Sequence, residues 1–482
     1  MSEAGRGGGW TEERSDEGSR RTKAPREANQ RDLSEAGRGG GWTEERSDEG
    51  SRRTKASREA NQRDLSEAPP RRRWDRVRRH AIDVRPLRHP AFRRMFVGSA
   101  VSFFGYQFTA VAVPVQMFAL TRSSAWVGLL GLAGLVPLLL FAVWGGAVAD
   151  AMDRRRLLLV SSLVMWSATL GLVAQALLGA RSPVLLLALV AVQAVGFAVS
   201  MPTRQAIVPR LVHQGEVPAA NTVNFTVSNI ATVLGPLGAG LVLANGPVTI
   251  AYAVDAVLFT VALWAALRLP PLAPELGGTT TGRRLGDVLF GLRYLATAPV
   301  LLLSFAVDIA AMVLAMPRAL FPEVAQERFG GLWAVGWLYS SIALGSVLAG
   351  VTSGWVGRVR RQGLALVAAV VAWGLAVAGA GLAHALWLAV TLLAAGGAAD
   401  LVSAVYRQTM LQTYAPDELR GRLQGVFTAV VAGGPRLGDL RAGVTAALTG
   451  PTVAWVGGGL AASAVTIALA ASFPVLVRYT SR

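Results

Sequence analysis

The sequence predicts an all-α integral membrane protein: twelve transmembrane helices in two pseudo-symmetric six-helix bundles. Three observations carry this prediction. The chain is 52% hydrophobic and 16% charged over 482 residues, where soluble proteins carry roughly a quarter charged residues. Past residue 94 the sequence is almost entirely apolar runs, each near the roughly 20 residues that span a bilayer. Motifs in the first half of those runs recur in the second at an offset close to 200 residues.

The first 70 residues stand apart. Residues 2–33 and 34–65 are a direct repeat that differs only at Pro25 and Ser57. Each copy offers one tryptophan and one leucine as its large apolar residues, too few to stack a core. A disordered tail is therefore expected over 1–70, either functionless (a recent tandem duplication or an over-extended gene start) or of unknown role. No apolar segment of signal-peptide length precedes it. The tail is charge-balanced, so the net charge of +17 resides in the membrane part and its flank. This distribution argues against nucleic acid as partner and for a topological role. Residues 71–94, rich in arginine, form a basic juxtamembrane segment read as a cytoplasmic orientation signal.

Twelve apolar segments follow, at about 95–120, 125–149, 157–180, 183–203, 220–245, 248–268, 299–317, 332–355, 363–382, 385–406, 423–448 and 451–476, the lengths that membrane spans require. With the amino terminus inside, 17 arginines after residue 150 fall in inner loops or the carboxyl end, against Arg122, Arg181, Arg318 and Arg328 on the other side. The asymmetry places both termini in the cytoplasm. Residues 95–268 form the N-terminal bundle, 269–298 a cytoplasmic linker with an interfacial helix, and 299–482 the C-terminal bundle.

Gly146, Asp150, Asp153 and Arg154 recur in register at Gly350, Gly354, Gly357 and Arg358. Arg204–Gln205 recurs at Arg407–Gln408, and Gly235–Pro236 at Gly434–Pro435. Three matches in order support an internal duplication.

Several functions are excluded by composition. Cysteine is absent, and the four histidines have no metal-pair spacing. Lysine occurs only at Lys23 and Lys55, so the membrane part has no phosphate-binding GxxxxGK[ST] loop. No catalytic constellation, cofactor site or metal site is expected.

Twelve spans, inward termini, the duplication and the GxxxDxxxRRR stretch between spans two and three together resemble the major facilitator superfamily. The resemblance covers residues 90–477. It implies that Gly146, Asp150, Arg154 and Arg155 form an inner gate, with Asp150 pairing across the halves when the cavity faces outward. Ala151 and Asp153 depart from the family pattern. The strings VLGPLGAG (233–240), PDELRGRLQGVF (416–427) and VVAGGPRLGDLRAG (430–443) are most similar to the siderophore exporter branch related to the enterobactin exporter. That resemblance implies a monomeric exporter of the bacterial inner membrane, using protons to move an amphiphilic small molecule, with hydrophobic drugs as the alternative cargo.

A charge in mid-span costs at least about 2.5 to 3.5 kcal/mol, so each such residue is a candidate. Asp308, with no basic residue within one turn, is expected to couple to protons unless it is a hydrogen-bonded packing carboxylate. Asp400 is a second coupling candidate near the inner end of its span, and Asp255 ranks last. Arg436 and Asp439, three residues apart, are either a self-satisfied ion pair or substrate contacts, with Arg441 assisting. Gln107 and Thr109 in span one are substrate contacts or helix-packing residues.

Overall fold

The computed structural model describes residues 83–272 and 293–480, and only the backbone of 142–151, 417, 418, 421 and 422. The tandem-repeat tail, most of the basic segment and the greater part of the linker, including its expected interfacial helix, lie outside the described residues.

Twelve long helices make up most of the described residues: α1 (Pro90–Thr121), α2 (Ser124–Ala151), α3 (Arg154–Leu177), α4 (Pro183–Leu211), α5 (Val217–Asn245), α6 (Val248–Leu267), α7 (Pro299–Ala315), α8 (Trp333–Val351), α9 (Gln362–Leu382), α10 (Leu386–Tyr414), α11 (Asp417–Thr449) and α12 (Pro451–Ser472). Among the described residues there is no strand. A helix satisfies its own backbone polar groups, which is what a segment crossing hydrocarbon must do. Eleven candidate spans are long and apolar enough to cross a membrane by themselves. The exception is α11, whose apolar character is diluted by Arg436, Asp439 and Arg441, and its flanking partners shelter those charges.

Helices α1 to α6 pack as one bundle and α7 to α12 as a second. The principal neighbours of the first, α1 with α5 and α6, α3 with α4 and α6, and α2 with α4, recur six helices later as α7 with α11 and α12, α9 with α10 and α12, and α8 with α10. The two main contacts between bundles are α2 with α11 and α5 with α8. The same six-helix shift exchanges one for the other, so the duplication read from motif offsets is also a symmetry of packing.

Several boundaries differ from the expected spans, with α4 running on to Leu211 and α10 to Tyr414. Helix α1 starts at Pro90, because a proline at a first helical position needs no partner for its missing N–H. The connection after span two, expected over 150–156, is shorter: α2 stays helical through Ala151 and α3 begins at Arg154, leaving Met152 and Asp153 as the turn. Asp153 caps α3 by accepting from the Arg155 and Arg156 N–H groups at 2.8 and 3.1 Å, and its other oxygen accepts from the Leu272 N–H at 3.0 Å. An acidic cap at a helix start both fills orphan donors and complements the dipole.

The bundles meet closely in the half of the molecule distant from the arginine-rich loops. Ser124 at the start of α2 hydrogen-bonds Glu323 in the short helix Phe321–Glu327. Ser340 of α8 donates to the Val233 carbonyl of α5 at 2.7 Å. A Cβ on Gly336 would stand 2.5 Å from the Pro236 carbonyl oxygen, so α5 and α8 touch there backbone to backbone, as small residues permit in membranes. The molecule is thus sealed at its arginine-poor end.

Polar side chains join helices within the first bundle. Gln116 of α1 and Gln175 of α3 exchange amide hydrogen bonds at 3.1 and 3.0 Å, and the Tyr252 hydroxyl of α6 donates to Gln116 at 2.6 Å.

Candidate functional site

A cavity of about 380 Å³ lies between the bundles, walled by α1, α2, α4 and α11 and by the turn Arg318–Leu320. Its formation follows from sequence. Glycines of α2 let α11 approach: a Cβ on Gly131 would meet the Arg436 carbonyl oxygen at 2.6 Å, and one on Gly128 the Asp439 carbonyl oxygen at 2.7 Å. Prolines open the opposing surfaces. Pro114 in α1 and Pro435 in α11 have no N–H to give, which removes the ladder donor from the carbonyls of Ala110 and Val431. Both of those residues line the cavity.

Arg318, Arg436 and Asp439 supply the charge. Two guanidiniums face one carboxylate, leaving the chamber net cationic. Arg436 donates to the Ala432 carbonyl of its own helix at 2.7 Å. It makes no ion pair with Asp439 among the described residues, and Asp439 Oδ1 is buried without a hydrogen-bond partner. Of the two expectations for this pair, the self-satisfied bridge is therefore not formed; Asp439 instead accepts from the backbone of Ala319, and both residues line the chamber. The Nε of Arg318 is likewise buried and unpartnered. Arg441, expected to assist, is instead bonded to carbonyls of Val313 at 3.2 Å, Ala454 at 3.1 Å and Leu314. It ties α11 to the end of α7 and the start of α12.

Tyr106, Thr109, Gln193 and Phe197 form the facing wall. The Thr109 hydroxyl donates to Asp255 of α6 at 2.6 Å, Thr169 of α3 reaches the same oxygen at 3.5 Å, and Gln193 donates to Thr169 at 3.1 Å. The rings of Tyr106 and Phe197 stack at 6.0 Å between centroids with 18° between planes. They also line a second cavity of about 410 Å³ that continues toward the arginine-rich end, with Met95, Phe103, Met165, Arg204 and Asn221 among its walls. The stacked pair is therefore a partition between a charged chamber and an aromatic, methionine-lined one.

The remaining expected residues fall elsewhere. Gln107, two residues from Thr109, points away from the cavity and packs on Gly235, where an added Cβ would lie 2.4 Å from its own. It is a contact between α1 and α5, as helical geometry requires of residues two apart, so its assignment as a substrate contact is corrected. Asp308 is not alone. It is ion-paired with Arg407 of α10, both nearly fully buried, and Asp400 lies 3.7 Å from the same guanidinium. Arg407 is an intramembrane cation and not the loop arginine that the positive-inside pattern suggested. Arg154 donates to the Ala206 carbonyl of α4 at 3.3 Å and Arg155 to the Leu267 carbonyl of α6 at 2.7 Å, so both brace the first bundle. Gly146 and Asp150 belong to α2, but their side chains lie outside the described residues.

Arg318, Gln193 and Asp255 were the residues that sequence reasoning passed over or ranked low. Arg318 carried a signal, since it follows Pro317 at the edge of an apolar run where the chain can fold back. Among the described residues no cluster of histidine and acidic side chains is placed to hold a metal.

A model of the family described as transmembrane secretion effectors matches residues 82–480. The chain is 29% identical over 377 residues to the enterobactin exporter EntS of Escherichia coli O139:H28, a match covering 75% of this chain and 87% of that one. The EntS of Escherichia fergusonii matches equally. Among solved structures the nucleoside transporter NupG superposes with a TM-score of 0.65 at 14% identity, covering 81% of this chain and 99% of that one. A bacterial homolog of the human lysosomal transporter Spinster gives 0.63 at 16% identity, covering 82% and 97%. These two likenesses concern the fold.

Proposed function

We propose that this chain, which belongs to the transmembrane secretion effector family of the major facilitator superfamily, exports an amphiphilic, anion-bearing aromatic molecule, a siderophore of the enterobactin type. It is a multi-pass membrane transporter, and the reading adds substrate, coupling and direction. The observation that carries it is the cavity between the bundles: two arginines against one carboxylate, roofed by stacked aromatic rings. Guanidinium stays charged and forks onto paired oxygens, and its attraction to an anion is strengthened where water is excluded. Aromatic walls suit planar rings. The similarity to EntS supports the same class of cargo.

In this reading the arginine-rich end and both termini lie in the cytoplasm of a bacterial inner-membrane protein, which the arginine asymmetry supports, and the cargo leaves by the other side. The seal between α2 and α11 and between α5 and α8 is then the outer one. Alternating access opens it while the signature residues Gly146, Asp150, Arg154 and Arg155 close the inner side. Protons flowing inward drive the cycle. Asp308 and Asp400 share the single cation of Arg407, and two carboxylates at one guanidinium leave one of them able to take up a proton. The transporter works as a monomer, since each bundle finds its partner within the chain.

The second cavity favours a rival cargo. Methionine and phenylalanine walls adapt to many hydrophobic shapes, as a multidrug/proton antiporter needs. Efflux from a deletion strain separates the two. Loss of siderophore secretion with unchanged antibiotic sensitivity supports the first reading, and retained secretion with sensitivity to several unrelated antibiotics overturns it.

A further inference from the structure

We infer that Asp255 is a proton-binding site of the N-terminal bundle, wired to the substrate cavity through Thr109, Thr169 and Gln193. The inference rests on the proton-coupled reading above and adds a site in the half of the molecule that the Asp308 cluster does not reach.

Asp255 lies in α6 and is 1% exposed. Its Oδ2 accepts from Thr109 and Thr169, while Oδ1 is buried without a hydrogen-bond partner. Oδ1 faces Gly105 of α1, where an added Cβ would stand 3.0 Å away. Among the described residues no cation is paired with it. From α1 the titratable group near it is Tyr106, from α3 only the Thr169 hydroxyl approaches, and on α6 itself Tyr252 is hydrogen-bonded to Gln116. Helix α5, the remaining neighbour of α6, carries no charged residue. The arginines of α1 and α3, and Arg268 that follows α6, sit at the arginine-rich ends of those helices.

The contrast with the other bundle is chemical. Asp308 can be ionised because Arg407 is beside it. An ionised Asp255 would be a buried charge with the Thr109 hydroxyl as its one close donor, since the single proton of Thr169 is shared with the Met165 carbonyl at 3.1 Å, and an uncompensated intramembrane charge is far more expensive than a neutral acid. The site as it stands accommodates the carboxylic acid, with the proton on Oδ1. Release requires a path to water, and the hydrogen bonds provide one. Thr109 bonds the carboxyl and lines the cavity, and Gln193 lines the cavity and bonds Thr169. A hydroxyl both donates and accepts, so a shift of α1 against α6 that turns the carboxyl, bringing its protonated oxygen to the Thr109 side, and admits cavity water there allows the acid to ionise, its proton passing to that water. The substrate and the proton thereby compete for one wall of one chamber.

Infrared spectroscopy of the purified protein in lipid, without substrate, reads the site directly. The carbonyl stretch of a protonated carboxylic acid should appear at neutral pH, decline as pH rises, and be missing in Asp255→Asn. Identical bands in wild type and variant overturn the assignment. Should the asparagine variant fail to fold, Asp255→Glu keeps the test alive, because it must retain a titrating band at an altered frequency; a folded glutamate variant with the unaltered wild-type band overturns it equally. In proteoliposomes loaded with pyranine and given enterobactin, Asp255→Asn should lose substrate-linked proton movement while exchange of labelled for unlabelled enterobactin persists. Proton movement at the wild-type rate refutes the inference. Wild-type protein that moves enterobactin without protons refutes the coupling reading instead, and the infrared band then still decides whether Asp255 binds a proton.

Discussion

Replacing Gly336 by alanine puts a methyl group where α5 and α8 touch. The added carbon would stand 2.5 Å from the Pro236 carbonyl oxygen, 3.1 Å from the Gly240 Cα and 3.2 Å from the Leu237 Cα. All three are backbone atoms, so no side chain can swing aside and the helices must separate. Overpacking of this kind costs about 1 to 3 kcal/mol. The cost falls only on states in which this seam is shut, so it acts as a bias between conformations. A bias of that size shifts the ratio of shut to open arrangements by about 5- to 150-fold. The chain has no cysteine, so paired spin labels can be introduced directly, for example at Arg181→Cys and Thr449→Cys at the arginine-poor end. Double electron–electron resonance should show the longer-distance population growing in Gly336→Ala. The control is Gly457→Ala, where an added Cβ meets nothing within 4 Å. If Gly336→Ala gives the wild-type distance distribution, the contact does not hold the seal and the reasoning fails.

Two other substitutions test the charges. Arg318→Gln removes one of two cations from the chamber; a hydrogen bond to a charged group contributes about 1.5 to 3 kcal/mol, so calorimetric affinity for enterobactin should fall by about one to two orders of magnitude, while Gln107→Leu leaves it near wild type. Equal losses in both would contradict the placement of these residues. Asp308→Leu takes the close partner from buried Arg407, leaving Asp400 at 3.7 Å, and should cost up to about 3 to 5 kcal/mol of stability, with much of it recovered in the Asp308→Leu, Arg407→Leu double variant; a single variant as heat-stable in detergent as the double would show that the pair is not coupled.

The architecture was largely legible because bilayer physics writes it into one dimension. Apolar run length gave the helices, and the 204-residue echo of Gly146 at Gly350 foretold a symmetry that the packing displays. The site was harder, for reasons that particular residues make plain. Thr109 and Gln107 look equivalent in sequence, yet a rotation of two residues sends one to the cavity and the other against Gly235. Arg436 and Asp439 sit at ion-pair spacing, but proline and the approach of α2 turn both toward the chamber. Asp308 seemed isolated because a one-turn window cannot see Arg407, which arrives from another helix. Asp255 ranked last because α6 is peripheral as an element, although its inner face abuts the wall behind Thr109. Periodicity specifies which residues share a face; it does not specify what that face meets.

The Asp308–Arg407 bridge also sets a timetable for biogenesis. Translation at about 5 to 20 residues per second delivers Asp308 to the membrane roughly 5 to 20 seconds before Arg407 emerges. During that interval α7 carries a carboxylate with no counter-ion, which disfavours its release into lipid as a lone helix. The expected outcome is retention of α7 at the insertion machinery until α10 arrives, checked by crosslinking α7 to that machinery in chains arrested before and after Arg407. The acid that steadies the finished protein is, for those seconds, a checkpoint on its manufacture.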